Sequence, residues 1–121
     1  MSKEKNILVE KSFAFAIRIV RLYKHLVEHK KEFVISKQLL RSGTAVGALV
    51  REAQNAESKM DFIHKLGIAQ KECDESMYWL ELLKETEFLN MNEFESIGQE
   101  AQALLKIIKS VILSTKQSIN K

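Results

Sequence analysis

Apolar residues recur along the whole chain at alternating spacings of three and four residues, which is the period of one face of an α-helix. This pattern predicts four helices, at about residues 6–30, 37–56, 59–86 and 93–118, in a single domain that covers residues 1–121. Short turns between long helices are typical of an antiparallel, up-down-up-down four-helix bundle. The predicted fold class is therefore all-α.

The first and last helices carry more apolar surface than a single core requires, since a helix that covers one core needs a stripe only about 100° wide. In the first helix the residues assigned to the core face are Val9, Phe13, Ala16, Val20, Tyr23 and Val27. The residues assigned to the outer flanks of the first and last helices are Phe15, Leu22, Leu105 and Ile112. We expect these flanks to pack against other copies of the chain. The alternative is that they are singly exposed apolar residues, which protein surfaces normally carry.

Hydrogen-bonding side chains mark the predicted helix starts. Ser36 is the expected N-cap of the second helix. Ser58 and Asp61 resemble a capping box before the third helix, and residues 92–95 form a second such signal before the fourth. The turn between the second and third helices is then only about two residues long, which favours an antiparallel pair.

Gly43 and Gly47 lie four residues apart within the predicted second helix. A glycine inside a helix costs about 1 kcal/mol relative to alanine, so two of them in one turn need a compensation. Small residues at this spacing form a notch that admits the close approach of another helix. The alternative is a break of the helix at Ser42–Thr44.

The residues around these glycines form a specific pattern. Its members are Gln38–Thr44, Val46–Ala48, Arg51–Ala53, Ser58, Asp61–Leu66, Lys71, Glu72, Glu75, Ser76 and Tyr78–Leu80. In order and spacing they resemble the bacterial four-helix-bundle proteins encoded within intervening sequences of 23S ribosomal RNA genes. The first and last helices match that family only in their apolar pattern.

The resemblance implies a four-helix protomer that assembles into a ring-shaped homopentamer. It also implies kinship with the accessory protein of diversity-generating retroelements, a basic pentamer that binds nucleic acid and works with a reverse transcriptase. No catalytic residues come with the family. This chain is only mildly basic, with a net charge of +3, which argues against strong, non-specific nucleic-acid binding.

Charge is unevenly placed along the chain. Residues 1–60 contain 12 Lys and Arg against 6 Asp and Glu, whereas residues 61–121 contain 7 against 10. The basic half favours either a nucleic-acid face or complementary contact between helices or subunits. A single cysteine excludes an internal disulfide, and no apolar run is long enough for a membrane span. We therefore expect a cytoplasmic protein without a membrane partner.

Candidate catalytic groups are few. His25 and His29 share a helix face but have no third ligand nearby, so a solvated helix end is the preferred interpretation over a zinc site. Cys73 lies in the core row, where it is expected to act as a small hydrophobe. The carboxylates around Glu72 lack the Glu-x-x-His spacing of di-iron bundles. We expect no enzyme activity, no metal and no cofactor.

The family pattern contains several charged and aromatic residues with structural roles. Its structural motif consists of Arg41, Gly43, Gly47, Arg51, Glu72, Glu75 and Trp79. We expect the two arginines to pair with Glu72 or Glu75 on an antiparallel third helix; contact with phosphate is the alternative. Trp79 is expected to anchor a core or interface, with base stacking as the alternative.

A basic strip on the first helix is the best candidate for nucleic-acid binding. Its residues are Arg18, Arg21, Lys24, Lys30 and Lys31. The sequence therefore favours a non-enzymatic, oligomeric helical bundle. Its expected partners are further copies of itself, RNA or DNA, and a nucleic-acid-processing protein. The alternative is a protein-interaction scaffold that binds no nucleic acid.

Overall fold

Helices account for nearly all of the described chain. The computed structural model describes residues 3–120, apart from the side chains of residues 4 and 5. The helices are α1 (Lys3–Lys30), α2 (Ile35–Ala53), α3 (Lys59–Glu85) and α4 (Met91–Ile119). No strand occurs within residues 3–120, so the all-α prediction is confirmed. No helix in this range is long and apolar enough to cross a membrane.

Each helix packs against two others. α1 contacts α2 and α4, and α3 contacts the same two helices, while the diagonal pairs keep their backbones apart over the described range. This arrangement surrounds one core and forms a four-helix bundle. The backbone contact between α1 and α4 is the sparsest of the four, so the α1–α4 junction is the most open side of the bundle.

The core takes one row of side chains from each helix. The large side chains that are completely or almost completely buried are Leu8, Phe15, Ile19 and Leu26 from α1, Leu39, Val46 and Val50 from α2, Leu66, Leu80 and Leu83 from α3, and Leu104 and Ile108 from α4. Burying one such side chain contributes about 1.5–3 kcal/mol relative to leaving it exposed. Burial of these side chains is therefore a large favourable contribution to folding.

The row of α1 side chains that faces the core is not the one predicted from the sequence but the row beside it. The sequence pattern assigns Phe13 to the core and Phe15 to an outer flank, but Phe15 is completely buried and Phe13 is 54% exposed. Leu22, Leu105 and Ile112 are half-buried and pack against the core. Both rows on α1 are apolar, so their periodicity does not distinguish them. The position of α1 between α2 and α4 determines which of the two rows is buried.

Gly43 and Gly47 lie where α2 meets α1. α2 is continuous from Ile35 to Ala53, so the alternative of a break at these glycines is excluded. A Cβ on Gly47 would lie 3.1 Å from the backbone oxygen of Ser12, and one on Gly43 would lie 2.7 Å from the side chain of Ile19. The close helix approach predicted from the two glycines is therefore confirmed.

The turn between α1 and α2 is capped by Glu32. Lys31 has a φ of 55°, a left-handed conformation that ends α1 and lets the Glu32 N–H donate to the Leu26 carbonyl at 3.0 Å. The Glu32 carboxylate then accepts hydrogen bonds from the backbone N–H groups of Val34 (3.1 Å), Ile35 (2.9 Å) and Ser36 (2.6 Å). It thereby satisfies three donors that a helix start leaves without partners.

Ser36 is not the N-cap that its position suggests. It lies inside α2, where its hydroxyl donates to the Glu32 carbonyl at 2.8 Å. Because Glu32 caps the helix from outside, α2 begins at Ile35 instead of Lys37. It ends at Ala53, three residues before the predicted end, because Gln54, Asn55 and Ala56 donate to carbonyls only three residues back.

The N-cap residue predicted for α3 is correct, whereas the one predicted for α4 is wrong. Ser58 caps α3 as expected, accepting from the Asp61 N–H at 3.0 Å. The predicted capping box is incomplete, because the Asp61 carboxylate accepts from the Glu57 N–H at 3.2 Å and not from the Ser58 N–H. Five residues and not two separate α2 from α3. In α4 the capping box uses Asn90 with Glu93, so the helix begins at Met91 and the predicted cap at Asn92 is wrong. Asn90 and Asn92 are both suitable N-cap residues by sequence, and in the structure Asn90 is the one that caps α4.

Candidate functional site

The five candidate basic residues are all on α1 or at its end, but they are not equivalent. Arg21, Lys24, Lys30 and Lys31 are exposed, and none of them forms a salt bridge within the described part of the chain. Arg21 and Lys24 are three residues apart and therefore neighbours on the helix surface. These four cations are available to an external anion.

Arg18 differs because α4 already holds it. Its Nη1 donates to Glu100 Oε2 at 2.6 Å, and its Nη2 donates to the Ser96 hydroxyl at 3.0 Å. The residues in this contact are 78 and 82 positions apart in the chain, so no local pattern indicates it. Arg18 therefore links two helices, and the other four residues form the free part of the predicted strip.

Arg41 forms the ionic cluster that the sequence predicts between α2 and α3. Its Nη2 donates to Glu75 in a short hydrogen bond, and its Nη1 lies 3.5 Å from Glu72 Oε2. Trp79 Nε1 donates to the same Glu75 oxygen at 3.1 Å. The Arg41 side chain is 55% exposed, which limits such an ion pair to about 0–1 kcal/mol of stabilisation.

A buried hydrogen bond lies beneath this cluster. The Ser76 hydroxyl bonds to the Ser42 hydroxyl at 3.0 Å, and both side chains are completely buried. Ser76 also bonds to the Glu72 carbonyl at 2.9 Å, so neither hydroxyl is left unsatisfied. Small polar residues at this point let α2 and α3 approach closely and favour one register between them.

The pairing expected for Arg51 is not formed. Its guanidinium lies over the ring of Phe13, 5.5 Å from the centroid, so the residue contacts α1 and not the glutamates of α3. Arg51 and Phe13 line an apolar groove of about 460 Å³ between α1 and α2, which includes Gly47. The alternative of phosphate contact for Arg51 stays a prediction.

The candidate catalytic groups of the sequence are His25, His29 and Cys73. The rings of His25 and His29 are 5.2 Å apart, but no group of three or more metal-binding side chains occurs among the described residues. Cys73 is completely buried and its Sγ lies 3.4 Å from the Ala101 carbonyl. Burial, with a smaller contribution from the Asp74 carboxylate, raises the pKa of Cys73 to about 12, so the reactive thiolate is disfavoured.

The fold and these contacts define the class of the protein. It is an all-helical, four-helix bundle in which Arg41 on α2 and Glu75 and Trp79 on α3 form a cluster. The chain also matches the family model of the 23S rRNA-intervening sequence protein over residues 4–110. The chain therefore belongs to the 23S rRNA-intervening sequence protein family, which confirms the resemblance seen in the sequence.

A solved structure supports this assignment. The chain is 51% identical to a protein of unknown function from the S23 ribosomal protein family of Bacteroides thetaiotaomicron. The two structures superpose with a TM-score of 0.89, and the match covers 90% of this chain and 97% of the other. A search of curated proteins finds no match.

Proposed function

We propose that the protein is a non-enzymatic, ring-forming helical bundle that binds RNA, alone or within a nucleoprotein complex. The observation that supports RNA binding is the group of four exposed cations at Arg21, Lys24, Lys30 and Lys31, which form no salt bridge within residues 3–120. Phosphate contacts of this kind provide most of the affinity of proteins for nucleic acid. The site of action is the cytoplasm, and a nucleic-acid-processing protein is the expected further partner.

The contacts between helices support an antiparallel, up-down-up-down protomer. Arg41 near the start of α2 meets Glu75 in the second half of α3, while Glu52 at the end of α2 lies 3.9 Å from Lys65 near the start of α3. Residue numbers that rise on one helix and fall on its neighbour are the signature of antiparallel packing.

The apolar side chains that the bundle leaves outside support self-association. Phe13 is 54% exposed on α1, and Leu113 is 58% exposed on α4. A ring uses two different patches on each subunit, and the exposed apolar side chains of these two helices are the candidates for them. The number five rests on the family resemblance. A ring would repeat the four cations in every subunit and raise the avidity for one RNA strand.

Light scattering tests the assembly. We expect a solution mass several times the 13.9 kDa of one chain. The Phe13→Glu variant should shift the population to smaller species, because a charge would then be buried at the contact. Met60→Glu is the matched control, since Met60 is also exposed but lies on α3. A monomeric wild-type protein would contradict the ring.

A salt titration with a structured RNA and a DNA duplex tests nucleic-acid binding. We expect log affinity for RNA to fall linearly with log salt, because each neutralised phosphate releases counterions. The Lys30→Gln/Lys31→Gln variant should reduce the slope by about 0.7–0.9 for each phosphate that is no longer neutralised. The Lys71→Gln/Lys109→Gln variant removes the same charge from exposed positions on α3 and α4 and should leave the slope unchanged.

Two results of this titration would count against the proposal. If the wild-type protein fails to bind either nucleic acid at low salt, it has no nucleic-acid function. If both double variants show the same reduction in slope, binding is a property of net charge and does not involve the end of α1.

The second candidate function is a scaffold for other proteins. It is favoured by a group of exposed carboxylates in the turn between α3 and α4 and in the adjoining ends of these helices, which are Glu81, Glu85, Glu87, Glu93 and Glu95. These carboxylates on one subunit are complementary to the cations at the end of α1 on another. In that case the same lysine variants would weaken assembly and leave RNA binding absent throughout.

A further inference from the structure

An open cleft separates α1 from α4 beside the end of the bundle that carries the α1–α2 and α3–α4 turns. Its volume is about 540 Å³. Pockets for small ligands have volumes of about 300–1,000 Å³, so the cleft has room for one nucleotide. It occurs at the sparsest of the four helix contacts.

Basic side chains from α1 form one wall of this α1–α4 cleft. Arg18, Arg21 and His25 follow at spacings of three and four, which places them on one face of the helix. Glu100 and Ser96 hold the Arg18 guanidinium in place, as described above. Arg21 is exposed and free of any salt bridge within residues 3–120.

The floor of the α1–α4 cleft is apolar. Leu89 and Ile97 are each only 3% exposed, and the half-buried Leu22 completes the surface. Asn92 and Ser96 from α4 add amide and hydroxyl groups to the opposite wall. An apolar floor bordered by guanidinium and amide groups offers a base an apolar contact surface beside a cation for its phosphate.

Glu93 lines the cleft, and Glu100 adjoins it through its salt bridge with Arg18. Glu93 accepts the Asn90 backbone N–H at 2.9 Å within the capping box of α4, and Glu100 is paired with Arg18. Neither carboxylate forms a salt bridge with Arg21 or His25 within residues 3–120. The exposed Glu28 lies one turn beyond His25 on α1, where solvent screens its charge.

We propose that the α1–α4 cleft binds one nucleotide of a single-stranded RNA, with its phosphate on Arg21 and its base over Leu22, Leu89 and Ile97. This inference rests on the proposed RNA binding and identifies the site at which the strand is held. It differs from binding by charge alone, because it requires an unpaired base.

Short single-stranded oligoribonucleotides of about ten nucleotides, within the usual range of site sizes, are the probes, and uridine and adenosine monophosphates are the free-ligand arm. Arg21→Gln should weaken oligonucleotide binding about tenfold, and Asn92→Leu, which fills the cleft without changing charge or adding an aromatic ring, should have a similar effect. Lys109→Gln is the matched control, because it removes one exposed charge from α4 outside the cleft. Circular dichroism checks that each variant is folded.

The outcomes separate this inference from the proposed function. Selective loss of binding by Arg21→Gln and Asn92→Leu supports the cleft. If the wild-type protein binds RNA and both variants bind as well as Lys109→Gln, the cleft assignment is wrong while RNA binding stands. Absence of all RNA binding overturns both. Binding of the monophosphates without the oligonucleotides would overturn the assignment to an RNA strand.

Discussion

Replacing Gly43 by alanine is expected to lower the free energy of unfolding by about 1–2 kcal/mol, because the strain of overpacking exceeds the gain in helix propensity. The added methyl group would lie 2.7 Å from Cγ1 and 2.9 Å from Cγ2 of Ile19. Ile19 is completely buried, and its β-branched side chain has few alternative rotamers. The helices must therefore move apart, and chemical denaturation monitored by circular dichroism would measure the cost.

Gly67 provides a matched control in the same protein. It lies inside α3, and a Cβ there would have no atom within 4 Å. Gly67→Ala should therefore raise the free energy of unfolding by about 1 kcal/mol through helix propensity alone. The same chemical change is thus expected to have opposite signs at the two positions.

A double-mutant cycle identifies Ile19 as the cause. In the Ile19→Ala background, Gly43→Ala should no longer destabilise the protein, because the two atoms nearest to the new methyl group are gone. If Gly43→Ala proves as stabilising as Gly67→Ala in the wild-type background, then the packing of α1 on α2 is not limited by this glycine.

Replacing Glu32 by alanine is expected to destabilise the protein by about 2 kcal/mol, since three backbone donors lose a charged acceptor. Ser36 is completely buried, so water does not easily replace the bond to its N–H. Glu32→Gln, which keeps one acceptor oxygen but loses the charge, should show a smaller effect. Glu28→Ala is the control, because Glu28 is exposed on the adjoining turn of α1 and should change stability little.

The hydrogen bonds to the Glu32 carboxylate also predict that the stability of the protein depends on pH. Burial by itself raises the pKa of Glu32, but hydrogen bonds from the backbone N–H groups of Ser36, Ile35 and Val34 lower it below its ordinary value of 4.5. A group whose pKa is lower in the folded state contributes stability above its unfolded pKa and loses it as the pH falls through its folded pKa.

The difference in stability between wild type and Glu32→Gln should therefore be full near neutral pH and shrink below about pH 4.5. Urea unfolding of both proteins across this range measures it, and the subtraction removes the contributions of other carboxylates. A difference that is independent of pH would show that Glu32 does not act through its charge.

Much of the fold could be predicted because its signals are local. The two glycines of α2 lie in an uninterrupted apolar period, which indicates a helix with a close neighbour. Arg41 and Glu75 fall on facing helices as soon as the helix lengths and the connection are known. Ser58 caps α3 because an N-cap needs only its own backbone and the next three residues.

The errors have physical reasons of another kind. On α1 both Phe13 and Phe15 are apolar, and only the direction from which α2 and α4 approach decides which is buried. The cap by Glu32 was not predicted because it comes from outside the helix and competes with the familiar signal of Ser36. The contact of Arg18 with Glu100 joins the first and last helices of the sequence. Rules based on residue spacing apply only within one helix, so they do not predict this contact.

The glycines also have a consequence for motion. At Gly47 the backbones of α1 and α2 meet almost without intervening side chains, so these two helices should move as one body, whereas α4 borders α1 through its sparsest contact. Brief local opening, of the kind that hydrogen exchange detects, should therefore begin where α4 hinges away from α1. The RNA strand of our proposal would then enter between α1 and α4, where the bundle opens, without disturbing the packing of α1 on α2.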